Sequence, residues 1–247
     1  MTAHLVTPGI VLRETETKEA DKILTVLTRD FGKVSVIARG ARRKSCRFAA
    51  STQTLAYSEL TLYKSRDWYF LNEGTTIELF PGLRRQIELI ALGSYFAELT
   101  EAVAGEELPA AELLSLLLNA LYALDHLHKP QRIVKGAFEL RLMALSGYEP
   151  LTDACVYCGR EDPEEAMIDI RQGVLHCKSC GGKGRGLSLP LSPAVLAALR
   201  HALHADPKRL YSFTLTEEAA EQFAQVAEAF SAAQLERDFR TLQFYKS

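Results

Sequence analysis

Residues Ile23 to Arg39, ILTVLTRDFGKVSVIAR, decide the fold. Two runs rich in β-branched residues, ILTVLTR (23–29) and KVSVIAR (33–39), flank Asp30-Phe31-Gly32, where a glycine can take the positive φ of a tight reversal. They read as a β-hairpin. Outward from it, LVTPGIVLR (5–13) has the same β-branched character, and YSELTLY (57–63) alternates polar and apolar residues with period two. After the turn Ser65-Arg66-Asp67, WYFLNE (68–73) supplies the second arm of another hairpin. Five short, mostly antiparallel strands in about 75 residues predict a small closed barrel of the OB type. An SH3-like barrel fits the strand count nearly as well.

From Phe80 the apolar spacing changes to that of helices, at i, i+3 and i+4. Arg84–Val103, Ala110–His126 and Gln131–Leu145 follow it, with Pro109 and Pro130 suited to the first turns of the second and third. Leucines lie nearly all round the middle helix, which places it at the centre of a bundle. Pro193–Leu203 and Glu217–Ala233 predict two more helices, and Leu235–Phe244 a further one. The expected class is α+β: an N-terminal OB-type barrel over 1–80, then an all-helical domain over 81–247 carrying a four-cysteine insertion at 152–186. The boundary falls near Pro81-Gly82.

A chain of 247 residues with 47% apolar residues can bury a substantial core, which excludes a disordered or collagen-like protein. The N-terminal stretch MTAHLVTPGIVLRETE lacks the basic head and apolar core of a signal peptide. The most apolar run, Leu113–Leu124, is interrupted by Ser115 and Asn119 and is far short of the roughly 20 residues a bilayer span needs. These features predict a soluble, cytoplasmic protein with no membrane partner.

Four of the five cysteines form two CxxC pairs, Cys155-Val156-Tyr157-Cys158 and Cys177-Lys178-Ser179-Cys180, separated by 18 residues. That interval is the spacing of a four-thiolate zinc site. Gly159 and Gly181 directly follow the pairs, where a knuckle turn favours positive φ. Four thiolates complete a tetrahedron and leave no position for water, so one structural Zn²⁺ per chain is expected rather than a catalytic ion. His176 reads as a bystander beside Cys177. The segment is poor in apolar residues, so metal binding is expected to supply its folding energy.

The 29 Lys and Arg nearly cancel the 31 Asp and Glu, but their distribution is uneven. Residues Arg39–Arg47, RGARRKSCR, carry Arg39, Arg42, Arg43, Lys44 and Arg47 without one carboxylate. A local field of one sign points to a polyanionic partner. With no apolar stripe to anchor it, the segment is expected to be mobile until it meets phosphate. Four to five phosphate contacts on a single strand would give a log K against log salt slope of about −3 to −3.5. Aromatic residues interleave with these cations: Phe31, Phe48, Tyr57, Tyr63, Trp68 and Tyr69. Period-two placement sends about half of such rings inward, and Trp68 and Tyr69 are the candidates for stacking on bases.

No Walker loop, GxGxxG, HExxH or GxSxG motif is present, and the run Gly181–Gly186 lacks both the P-loop pattern and a preceding strand. A non-enzymatic role is therefore expected. A zinc-containing RNA-binding module or a protein-interaction scaffold without annealing activity is the alternative.

These residues together resemble the RecO family of recombination mediators in bacterial DNA repair. The resemblance is carried by GIVLRETETKEADKILTVLTRDFGKVSVIARGARRKSCRFAAS, YSELTLYKSRDWYFLNEGT, SYFAELTEAV and FELRLMALSGYEP, the last leading into the CxxC pairs. It implies an OB fold, a helical domain with a zinc module, and binding of single- and double-stranded DNA. It further implies annealing of complementary strands and, with RecR, assistance to RecA on strands covered by single-strand-binding protein, in the nucleoid. The family's basic region falls on Arg39, Arg42, Arg43, Lys44 and Arg47. Many OB folds carry a helix between the third and fourth strands, where this chain has that basic segment.

Overall fold

The computed structural model describes residues 4–17, 20–66, 68–181 and 187–247. The expected turn residue Asp67, the pair Lys18 and Glu19, and positions 182–186 of the glycine-rich run lie outside the described residues. Five strands close into a barrel: β1 (His4–Glu16), β2 (Lys22–Thr28), β3 (Gly32–Ala38), β4 (Tyr57–Ser65) and β5 (Trp68–Glu78). Their order is β1-β2-β3-β5-β4, and β4 returns to β1. The long first strand serves two neighbours: its first half pairs with β4 and its second with β2, around a register shift between Val11 and Arg13. Such a bulge bends a strand and sharpens its twist, as a small barrel requires. Closure comes from a short parallel seam, Val36 opposite Tyr69 and Ile37 opposite Phe70. This is the OB-type barrel expected.

Alternation decides which side chains fill it. Val34, Val36 and Ala38 of β3 point inward with Leu24 and Val26 of β2, Leu60 and Leu62 of β4, and Tyr69 and Leu71 of β5. At the turn of the first hairpin, Gly32 has φ +60°, and the Thr28 hydroxyl accepts from the Phe31 N–H and donates to the Gly32 carbonyl. Residues 105–107 run along the start of β3, where the Lys33 N–H donates to the Gly105 carbonyl and the Glu107 N–H to that of Lys33.

The connection from Arg39 to Ala56 is a chain of turns with one short 3-10 turn, Ala50–Thr52, in place of a helix. Contrary to expectation it is anchored. Ala41 is buried and Phe48 packs against the barrel core, while the Gly40 N–H donates to Asp21 Oδ1 at 2.6 Å and the Arg42 N–H to the Ala20 carbonyl. Two small apolar contacts and paired backbone groups hold a loop that composition alone makes look free.

Six helices follow among the described residues: α1 (Ile87–Val103), α2 (Ala111–Asp125), α3 (Gln131–Leu145), α4 (Pro193–His204), α5 (Glu217–Leu235) and α6 (Arg240–Lys246). None is long and apolar enough to cross a membrane. Packing groups the chain into two compact units, residues 1–125 with 239–247, and residues 126–238. The change from strands to helices near residue 80 therefore does not coincide with the division by packing. In the first unit α1 and α2 accompany the barrel, and the C-terminus returns to α1: Phe239 meets Tyr95 edge-on at 5.8 Å, and Glu98 accepts from the Thr241 N–H.

The central buried helix is α3 in the second unit, not the leucine-rich α2, which exposes Glu112, Ser115 and Tyr122. Every residue from Ile133 to Leu140 is buried. Small side chains permit this: a Cβ at Gly136 would come within 2.6 Å of the Phe223 ring on α5. The one cation in that stretch, Lys135, lies between Glu139 at 2.8 Å and Glu228 at 2.9 Å. Burial disfavours its charge, yet the two carboxylates outweigh that and hold its pKa above the ordinary lysine value. A buried ion is tolerable only when paired in this way. The second unit also contains a small antiparallel sheet of β6 (Ala166–Asp169), β7 (Val174–Cys177) and β8 (Ser188–Leu191), in the order β7-β6-β8.

Replacing Gly32 by Ala would place a Cβ inside the Leu108 backbone as well as straining a left-handed residue. Denaturant unfolding is expected to register a loss of about 3 kcal/mol or more, against about 1–2 kcal/mol for Gly147→Ala, whose φ of +88° strains an alanine but whose Cβ would meet nothing within 4 Å.

Candidate nucleic-acid interface and metal centre

The outer surface of the barrel follows from the same alternation. Because Tyr69 and Leu71 point inward, Trp68 and Phe70 point outward on β5. The strand registers then align Thr15, Ile23, Ile37, Phe70, Tyr63 and His4 across five neighbouring strands. In this belt the Tyr63 and Phe70 rings stack at 5.1 Å and 14°, and His4 approaches Tyr63 edge-on at 6.2 Å. The guanidinium of Arg39 lies over Phe70 at 4.7 Å from the ring centre.

Tyr69 does not belong to this face. It is 6% exposed and donates its hydroxyl to Glu107, which also pairs with Lys64, so the expectation that it stacks on bases is corrected. Adjacent residues of one strand cannot both face outward. Trp68, at 42% exposure, keeps its outward position. Phe70, which sequence reasoning passed over, is found by extending the period-two pattern through WYFLNE. Of the other rings, Phe31 and Phe48 pack against the barrel core.

All five cations of the basic segment are exposed. Arg42 is engaged, pairing with Glu16 at 2.9 Å and donating to the Thr17 carbonyl. Those contacts place the segment beside the β1–β2 turn. Among the described residues, Arg39, Arg43, Lys44 and Arg47 have no carboxylate within ion-pair distance. Three cations of the helical region, by contrast, have partners. Arg132 pairs with Glu217 and Glu221, Lys135 is buried between two glutamates, and Arg141 donates to the carbonyls of Ala202 and Ala205.

In the second unit the four cysteines converge. The sulfurs of Cys155, Cys158, Cys177 and Cys180 all lie within 4.8 Å of one another. Four sulfurs at the usual 2.3 Å from one ion would be separated by about 3.8 Å along each tetrahedral edge. The Cys158 and Cys177 sulfurs are 3.7 Å apart, so the set fits a bound metal ion. In the first knuckle the Gly159 N–H donates to the Cys155 carbonyl at φ +72°, as expected. Gly181 serves differently. Its φ is not positive, and a Cβ there would collide with the His176 ring at 2.5 Å. That ring is buried, contacting the Cys177 carbonyl at 3.0 Å and Ser188 Oγ at 3.1 Å, outside the ligand set.

The segment is better supported than its composition implies. Ile168, Ile170 and Leu175 are fully or nearly fully buried, and β7 runs directly into the second knuckle, so a strand does precede the glycine-rich run. Arg200 of α4 holds the first knuckle's loop through the carbonyls of Thr152 and Asp153 and the carboxylate of Asp162. The four thiols are not equivalent. Burial and the neighbouring sulfurs push Cys177 upward, whereas for Cys155 burial is outweighed by N–H donors including that of Cys177. Without a cation the cluster cannot hold four thiolates at once, which is the chemistry a divalent ion supplies.

A closed OB-type barrel with an aromatic belt and a cationic rim, joined in one chain to a helical unit with a four-thiolate cluster, defines a metal-capable OB-fold protein. Comparison with known proteins narrows this. The N-terminal domain of recombination protein O matches residues 1–80, and its C-terminal domain matches residues 84–243. The DNA repair protein RecO of Acetivibrio thermocellus is 33% identical over 244 residues, covering 99% of this chain and 97% of that one. Those of Symbiobacterium thermophilum and Bacillus pumilus are each 32% identical, over 240 and 222 residues, covering 96% and 90% of this chain and 94% and 86% of theirs. The chain belongs to the RecO family.

Cys158→Ala removes one corner of the thiolate set. Elemental analysis after dialysis is expected to fall from about one metal equivalent per chain to near zero, with unfolding of the 152–186 segment and an intact barrel.

Proposed function

We propose that this chain is a DNA-binding recombination mediator that grips single- and double-stranded DNA by the phosphates and anneals complementary strands. It works with RecR to help RecA onto strands covered by single-strand-binding protein, in the nucleoid of the cytoplasm, and performs no covalent chemistry of its own. In this reading residues 1–80 are the nucleic-acid-binding barrel and 81–247 the helical domain, with 152–186 a structural zinc module ligated by Cys155, Cys158, Cys177 and Cys180. Membership of the RecO family supports the role in repair. Four soft thiolates in a closed tetrahedral set favour Zn²⁺ over harder ions.

The observation that carries DNA binding is the exposed group Arg43, Lys44 and Arg47, beside Arg39 and without carboxylate partners among the described residues. Charges left unneutralised on a folded surface favour a polyanion, and their contacts release counterions. Phosphate contacts carry no base information, so the grip suits annealing, in which any two complementary strands must be held. Arg42 serves more as an anchor of the segment than as a free phosphate ligand, given its Glu16 partner. Trp68 stands at the rim near the β4–β5 turn, open to a bound strand.

Changing Arg43, Lys44 and Arg47 together to Glu is expected to lower affinity for both DNA forms sharply and to flatten the log K against log salt slope by about 2 for a single strand, with the melting temperature unchanged. Fluorescence anisotropy across a salt series measures this. Unaltered affinity and slope would remove the segment from the interface.

A further inference from the structure

Phosphate contact alone cannot tell a single strand from a duplex, and the outward belt offers what would. Tyr63 and Phe70 stand side by side in register with nearly parallel rings, partly exposed, on the outer surface of the barrel. Nothing in the core requires them, since Leu62, Tyr69 and Leu71 fill the inner side of the same strands. The guanidinium of Arg39, a flat cation, lies over the Phe70 ring at 4.7 Å from its centre, is exposed, and has no carboxylate partner among the described residues. A planar cationic group resting on a ring occupies the position that a nucleobase would take.

We infer that Tyr63 and Phe70 form a seat for an unpaired base, with Arg39 as its removable cover; this rests on the DNA-binding reading above. The magnitudes favour the exchange. An exposed cation–ring contact changes an equilibrium by about two- to five-fold, whereas stacking one base on an aromatic side chain is worth about 5- to 150-fold. Arg39 also loses little, because its guanidinium can turn to a phosphate of the incoming strand. Its neighbours Arg43, Lys44 and Arg47 already present cations to that strand. Bases in a duplex are stacked on each other and have no free face. A strand that becomes paired therefore leaves the seat while its phosphates stay held, and the annealed product is bound less tightly than its precursor.

The test compares two oligomers of equal length and phosphate number, one of deoxythymidine and one of abasic tetrahydrofuran units, by anisotropy at one salt concentration. The full-length protein should bind the thymidine oligomer more tightly, by the stacking factor less the two- to five-fold cost of lifting Arg39, up to about 75-fold. Phe70→Ala and Phe70→Leu should each lose most of that preference, leaving only what Trp68 and Tyr63 supply, while keeping their affinity for the abasic oligomer and for duplex, and Phe70→Trp should restore it. The Leu variant retains apolar volume, so loss of its preference is not a folding effect; thermal melting verifies this. Equal binding of both oligomers by the unmodified protein overturns the seat while leaving the phosphate grip intact. A preference undiminished in both Phe70→Ala and Phe70→Leu also overturns it. Failure to bind either oligomer overturns the seat together with the DNA-binding reading.

Discussion

The parallel seam between β3 and β5 is the contact on which the N-terminal architecture depends. Two residue pairs, Val36 with Tyr69 and Ile37 with Phe70, join strands that belong to different hairpins. Without that seam there would be a curled sheet with two bare flanks; with it, a barrel. The seam also fixes both surfaces. Val36 and Tyr69 face the interior, so Ile37 and Phe70 are carried outward, and the aromatic belt is the exterior counterpart of the core.

Charge is divided with similar economy. Three cations of the second unit are matched: the buried Lys135 by two glutamates, the exposed Arg132 by two more, Arg141 by backbone carbonyls. Around the rim of the barrel, by contrast, Arg39, Arg43, Lys44 and Arg47 stay unmatched among the described residues although the chain as a whole carries slightly more acid than base. A formal net charge of −2 therefore describes the sum and conceals a surface of the opposite sign.

Much of this was legible from residue order. The hairpin around Gly32, the alternation of β4, the helix Gln131–Leu145 and the cysteine spacing are local signals, and each element formed close to its expected bounds. The misreadings arose where a tertiary contact outweighed a local pattern. A leucine count favoured α2 as the central helix, but Gly136 and Ala137 let α3 approach its neighbours more closely, and only the packed structure reveals a lysine neutralised by glutamates from two helices. The basic segment looked loose because its anchors, Ala41 and Phe48, are single residues. The strands β6, β7 and β8, at four residues each, are too short for periodicity to announce them. Phe70 follows Tyr69 in plain period-two alternation, so the pattern that sends Tyr69 inward carries Phe70 outward.

The run of backbone from Gly105 to Glu107 carries a consequence for how the chain can be divided. By lying against the first residues of β3 it occupies hydrogen-bonding groups that the brief seam with β5 leaves open. It thus works as a selvedge, the woven border that keeps a fabric from fraying. A fragment ending at residue 80 would contain all five barrel strands and yet lack this border, leaving a raw flank to which the corresponding strand of another molecule could attach. A fragment that keeps this border runs on to residue 107, past the end of α1.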